Sequence, residues 1–310
     1  MNIKNLFNLL CEGAKFTKEF SINVGIARIV RDLPFIKWEN RRSFYENRLV
    51  NYLKNQYSDI LLKYKDRPIY EENNKTASDY VWVMWWQGKE NMPLIAAKCY
   101  EKLLENAGDR KVVLITQENI KQYISIPENI TKKVSSGVIT LTHFSDIIRS
   151  MLFMQYGGLW IDATVYTTAP LGEELNGDFY TLACNGIFPE FLSRGRWLPS
   201  FLYVSKPNNM LFDCLFELFC SYWEKHNLLL DYLLVDFFIY CIGEELPLIN
   251  KMINSVPEEP LFYSLNPLLS EPFDKSKWDN ITTSCKYHKL TYKLKTTELD
   301  GSFYNYILES

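Results

Sequence analysis

The stretch YGGLWIDATV, residues 156–165, decides how the chain is read. Gly157 and Gly158 stop a helical pattern and let the backbone turn tightly. Leu159, Trp160 and Ile161 then begin an apolar, strand-like run, which a single carboxylate, Asp162, interrupts. Side chains alternate along a strand, so Trp160, Asp162 and Thr164 share one face while Ile161, Ala163 and Val165 take the other. A carboxylate beside a hydroxyl at a strand's end offers the hard oxygen donors that a divalent cation takes, with water and phosphate completing its shell.

Upstream of the glycines, SDIIRSMLFMQYGG (145–158) predicts a helix capped by Ser145 or His143. Asp146 and Arg149 lie three residues apart and share a helical face. They form either an ordinary intrahelical ion pair or a site where the acid takes sugar hydroxyls and the arginine forks onto phosphate or a sugar oxygen. Further back, YVWVMWW (80–86) reads as a strand, NMPLIAAKCYEKLLENAG (91–108) as a helix ending on Gly108, and KVVLIT (111–116) as a second buried strand. Strand, helix, strand, helix, strand predicts an α/β protein with an open sheet and ligands at the carboxyl ends of its strands. Residues 1–74 read as an amino-terminal helical region and 75–310 as the α/β domain, with the polar YKDRPIYEENNKTASD (64–79) between them.

Charge and cysteines narrow the function. The 34 basic and 37 acidic residues leave a net charge of −3, which argues against a nucleic-acid partner held by counterion release. The amino-terminal region runs the other way, with nine basic residues from Lys4 to Arg48 against five acidic ones. That surplus either touches an anionic membrane surface or forms a solvated helical face. Seven cysteines, an odd number with no C-x-x-C, suit reduced thiols in a cytoplasmic protein. The apolar LFNLLC (6–11) lacks a cleavage site, and LLLDYLLVDFFIYCI (228–242) is too short to span a bilayer and is broken by Asp231 and Asp236. The expectation is a cytoplasmic protein able to rest on the inner face of the cell membrane. The glycine signatures of dinucleotide-binding and P-loop proteins and the G-x-S-x-G of hydrolases are absent, and His143, His226 and His288 are scattered.

Two other places invite chemistry. Asp236 lies in an apolar run where an unpaired charge is expensive, so it either pairs with a buried base or faces a cleft. Asp231 reads as the more exposed of the two, a helix-start residue. At the end of the first strand, alternation lets only one of Trp85 and Trp86 face the site, and Trp85 is the choice.

The segment SDIIRSMLFMQYGGLWIDATVY (145–166), with VWVMWWQGKENMP (81–93), AGDRKVVLIT (107–116) and DYLLVDFFIY (231–240) in matching order, resembles the capsular polysaccharide synthesis branch of the glycosyltransferase 32-like enzymes. The likeness covers roughly residues 78–295. It implies a GT-A fold, with an open mixed sheet flanked by helices, a nucleotide-sugar donor (usually a UDP-sugar), Mn2+ or Mg2+, and transfer with retention. It makes Asp162 the metal ligand with Thr164 as auxiliary, in a D-A-T that stands where the wider superfamily carries D-x-D. Asp146 and Arg149 match the family's S-D-x-x-R, used on the donor sugar and its neighbourhood. Trp85, Gln87 and Gly88 match the base-binding edge, where an aromatic face stacks on uracil, and Gly158 belongs to the donor-binding motif. In related enzymes a carboxyl-terminal segment closes over the diphosphate, which gives His288 a metal or phosphate role and Lys289 a phosphate role. Asp236 is counted among the catalytic candidates, and SRGRWLP (193–199) reads as an acceptor loop or a solvated basic turn. The expected reaction moves a hexose, galactose or glucose, to a lipid-linked oligosaccharide acceptor, which also accounts for the basic amino-terminal region. The alternatives are a non-catalytic nucleotide-sugar- or glycan-binding relative and a structural partner in an assembly complex.

Overall fold

A computed structural model of the chain describes residues 3–70, 77–184, 192–294 and 300–310. Four helices come first: α1 (Ile3–Glu19), α2 (Ile22–Arg31), α3 (Trp38–Gln56) and α4 (Ser58–Lys63). The first two form a hairpin that crosses at glycines, where a Cβ on Gly25 would lie 2.6 Å from the Gly13 carbonyl oxygen. The expected boundary at 74/75 falls outside the described residues. Tyr45, Leu49 and Leu53 of α3 nonetheless share one buried cluster with Trp82, Trp160, Trp223 and Phe238, so the helical region and the sheet are built on a common core.

The α/β part continues with β1 (Tyr80–Met84), α5 (Leu94–Asn106), β2 (Lys111–Ile115), α6 (Glu128–Ser135), α7 (Leu141–Tyr156) and β3 (Gly158–Ile161). Then come β4 (Val165–Thr167), β5 (Phe179–Thr181), β6 (Phe201–Val204), α8 (Met210–Lys225), α9 (Leu234–Glu245), α10 (Pro247–Asn254), α11 (Lys275–Ser284), β7 (Tyr287–Lys289) and α12 (Phe303–Glu309). Five strands form a mixed sheet in the order β2-β1-β3-β6-β5, parallel on the β2-β1-β3 side and antiparallel at β6 and β5. Its residues alternate between two apolar layers, as the strand period requires. Trp82, Trp160, Leu202 and Val204 face the helical cluster. Val81, Val83, Leu159, Ile161, Phe201 and Tyr203 face the other.

Three expectations are corrected. The strand through Asp162 does not continue to Tyr166. The Asp162 amide donates to the Ser200 carbonyl (2.9 Å) as the last rung beside β6, and the Val165 amide then donates to the Asp162 carbonyl (2.9 Å), closing a turn. From there β4 leaves the main sheet and pairs antiparallel with β7, Val165 opposite Lys289. The first strand stops at Met84, and a turn closed by the Gly88 amide on the Trp85 carbonyl (3.0 Å) carries both tryptophans past the region where alternation applies. The helix before the glycines starts a turn earlier than expected, capped by Thr140, whose hydroxyl accepts from the His143 amide (3.3 Å).

The glycine stop itself is as the sequence reads. Gly157 and Gly158 have φ of 67° and 100°, and a Cβ on Gly158 would lie 2.4 Å from the Tyr80 carbonyl oxygen. The chain must pass β1 this closely to enter β3 beside it.

Candidate functional site

Parallel strands β1 and β3 end side by side, and a cleft of about 500 Å³ opens there. Its walls include Trp85, Trp86 and Gln87 beyond β1, Trp160, Asp162 and Thr164 at the end of β3, Tyr232 before α9, and Lys289 and Tyr292 from the carboxyl-terminal segment. This is the edge where ligands bind open α/β sheets. A larger cavity of about 640 Å³ lies behind Trp86 and Leu141, which line both. Ile120, Ile124, Ile126 and Val134 make it mostly apolar, and none of the sequence's candidate acids faces it.

Asp162 is the centre of the cleft's electrostatics. One carboxylate oxygen accepts from Lys289 Nζ at 2.6 Å; the other accepts from Trp160 Nε1 at 2.9 Å and lies 3.7 Å from Arg149 Nη2. Burial pushes its carboxyl up, but the Lys289 ammonium and the Arg149 guanidinium outweigh that and hold it below the ordinary carboxylate range. Arg149 donates in turn to Asp146 at 2.9 Å and stacks over the Trp160 ring, 4.6 Å from its centroid. Two carboxylates and two cations therefore form one chain, Asp146–Arg149–Asp162–Lys289, running from the buried face of α7 up to the cleft.

Depth separates their roles. The Arg149 and Asp146 side chains are 5% and 11% exposed and lie beneath Asp162, so they support the cleft from below. The S-D-x-x-R spacing builds an ion pair, and that ion pair orients the carboxylate above it. Lys289 reaches the cleft because β7 pairs with β4, which brings it next to a residue 127 positions earlier in the chain.

The other candidates are placed as follows. Trp85 and Trp86 both line the cleft, against the expectation that only one does. Trp85 is held by Nε1 donating to the Asn91 carbonyl (3.1 Å) and by an edge contact with Tyr292 at 5.7 Å between centroids. Gly88 (φ 88°) closes the turn that presents Gln87. Gly158 stands at the far end of β3, packed on β1, where its role is close backbone approach. His288 alternates with Lys289 and so does not join the cleft. It is fully buried with neither ring nitrogen hydrogen-bonded, and burial lowers its pKa to about 4. Asp236 is 2% exposed and accepts from Trp197 Nε1 at 2.8 Å; burial pushes its carboxyl up to about 7. Its partner is an indole, neither the base nor the open cleft that the sequence suggests. Asp231 is the more exposed of the two, as the sequence suggests, though it too is buried, and it accepts from the Tyr45 hydroxyl at 2.7 Å. Arg194 pairs with Glu46 of α3 at 2.7 Å, so the SRGRWLP turn is tied to the fold. Tyr232 and Tyr292 were not singled out from the sequence. Their only signal is adjacency, to Asp231 and to the Lys289 segment.

The divalent cation is a poor match to this arrangement. Both oxygens of Asp162 already accept hydrogen bonds, Thr164 replaces a second carboxylate, and His288 lies elsewhere. Among the described residues no group of three or more His, Cys, Asp or Glu side chains converges on a point. Water and phosphate can fill most of a hard cation's shell, but the one carboxylate that would anchor it here has both oxygens taken by Lys289 and Trp160, so no step below is routed through a metal.

No curated protein matches the chain. A family model described as capsular polysaccharide synthesis protein matches residues 32–307, which reaches further back than the likeness read from the motifs and takes in α3 and α4. With the match spanning nearly the whole α/β part and every residue of the cleft, the chain belongs to the capsular polysaccharide synthesis protein family.

Proposed function

We propose that the protein is a glycosyltransferase of capsule synthesis that moves a hexose, galactose or glucose, from a UDP-sugar to a lipid-linked oligosaccharide, with retention at the anomeric carbon. The observation that carries this reading is the Asp162–Lys289 pair at the carboxyl end of β3, set in a cleft whose mouth is aromatic. Transfer breaks a bond to a diphosphate, and the charge growing on that leaving group needs fixed positive partners. Lys289 and Lys293 are the cations on the cleft wall, and Lys289 is the one fixed at its centre. Asp162 positions its ammonium, and Arg149 keeps Asp162 ionised from below. Trp85 and Trp86 offer ring faces for the uracil, and Gln87 a polar group for its edge. GT-A architecture, the identity of the sugar and the retaining outcome rest on the family resemblance.

The test is nucleotide diphosphate release from a panel of UDP-sugars, with Mn2+, with Mg2+ and with chelator, by wild type and Lys289→Met. The expected result is release from one donor that survives chelation and falls about 10²–10³-fold in the variant, as for loss of one group that stabilises the transition-state charge. Release that stops with chelator would return the role to a metal. A second reading, a non-catalytic nucleotide-sugar binder, is favoured by the full pairing of Asp162, which leaves no free carboxylate at the centre of the cleft. Thermal stabilisation by a UDP-sugar without any release would select it.

A further inference from the structure

The reaction as proposed uses the aromatic mouth and the Asp162–Lys289 pair, and leaves one ring on the cleft wall without a role. The other aromatic side chains there have packing partners. Between centroids, Trp85 meets Tyr292 edge-on at 5.7 Å and Trp86 meets Phe144 at 5.2 Å; Trp160 lies under the Arg149 guanidinium at 4.6 Å. Tyr232, also on the wall, is 67% exposed, and among the described residues no ring or cation packs against it.

Its exposure is built in. Leu230 and Leu234 on either side are fully buried. Between them, Asp231 accepts from the Tyr45 hydroxyl of α3 (2.7 Å) and from the Leu233 amide (2.8 Å), with Arg31 Nη1 of α2 3.9 Å away. The helical region thus fixes the backbone on which Tyr232 stands. The hydroxyl end of the ring turns inward beside the Thr142 side chain, where partial burial and the Asp146 and Asp162 carboxylates push its pKa up. A ring already held in place binds at low entropic cost.

A pyranose carries C–H groups on its faces and hydroxyls around its rim. Tyr232 offers a ring to the first, and Thr142 and Ser145, on the same wall, offer hydroxyls to the second. Its exposure separates acceptor from donor. A donor sugar lies inside, against the diphosphate, whereas a glycan that continues toward a lipid must leave across an open edge. The SRGRWLP turn, the acceptor loop expected from the sequence, contributes no residue to this wall.

We infer that Tyr232 is the stacking platform for the terminal sugar ring of the acceptor. The inference rests on the proposed transfer reaction for the identity of that sugar as acceptor; binding of a hexose ring at Tyr232 stands apart from it. Its test is saturation-transfer NMR from the full chain to the methyl glycosides of glucose, galactose and N-acetylglucosamine, with wild type, Tyr232→Ala and Tyr232→Phe. One glycoside should take up saturation. Its affinity should fall about tenfold in Tyr232→Ala, the loss of one stacking contact, and be nearly kept in Tyr232→Phe, which retains the ring. Thermal stabilisation by the UDP-sugar should be the same in all three proteins. No uptake by any glycoside, or unchanged affinity in Tyr232→Ala, would overturn the platform. Loss of UDP-sugar stabilisation in Tyr232→Ala would overturn the acceptor assignment and move the residue to the donor. Glycoside binding by a wild type that no UDP-sugar stabilises would instead overturn the proposed reaction and leave the sugar platform in place.

Discussion

Asp162 and Asp236 each accept a hydrogen bond from an indole N–H, at 2.9 and 2.8 Å, yet they titrate in opposite directions. Asp162 has a lysine and an arginine around it and is held below the ordinary carboxylate range. Asp236 sits deeper and is pushed up to about 7 by burial, which its indole hydrogen bond only partly offsets. The same donor thus fixes a carboxylate in both places, and what decides its charge is the company of full cations. A neutral N–H positions an acid; only an opposite charge keeps it ionised in a dry setting.

The largest effect should come from Asp162→Asn, which removes the charge that holds Lys289. Turnover is expected to fall about 10²–10³-fold, with the melting midpoint moved by only a few degrees. Unchanged turnover in a folded variant would break the contrast at its root. Next in size, Trp197→Phe deprives Asp236 of its indole donor and should cost about 1–3 kcal/mol, the penalty of a buried polar group left unmet. Trp160→Phe should cost clearly less in denaturant melts, because Lys289 still bonds Asp162. Equal losses would mean that the cations count for little.

Trp85→Ala tests the aromatic mouth instead of the charges. KM for the UDP-sugar should rise about tenfold, the loss of one stacking contact, with kcat nearly unchanged. The smallest signal is a slope. The Asp236 carboxyl is raised from 3.8 to about 7, so its contribution to stability is fully present below 3.8 and is lost as pH rises through about 7. Asp162 runs the other way, its contribution present above the ordinary carboxylate value and lost as pH falls. Asp236→Asn, compared with wild type in thermal melts across that interval, should flatten the fall in stability toward neutral pH and leave the acid limb in place.

The sequence made the sheet's centre legible because local chemistry wrote it there. The glycine pair needs positive φ at both positions, the apolar runs of β1, β2 and β3 are continuous, and Asp146 and Arg149 share a helical face. It misjudged depth and ends. The i, i+3 spacing of Asp146 and Arg149 says that they meet, but not that they lie buried under the cleft with Arg149 stacked on Trp160. Alternation misleads beyond Met84 and Ile161 because backbone hydrogen bonds, set by β6 and by turns, end those strands where hydropathy does not. Lys289 was named beside His288, and only the pairing of β7 with β4 separates them, sending one side chain to Asp162 and the other into a sealed interior.

That pairing also fixes an order of events during synthesis. Asp162 leaves the ribosome 127 residues ahead of Lys289, so a nascent chain holds the carboxylate for some time without the ammonium that answers it. In that interval Asp146 and Asp162 share a single cation, Arg149, and the half-built cleft is left with one negative charge in excess among these groups. The charges of the cleft are balanced only once the carboxyl-terminal segment has arrived.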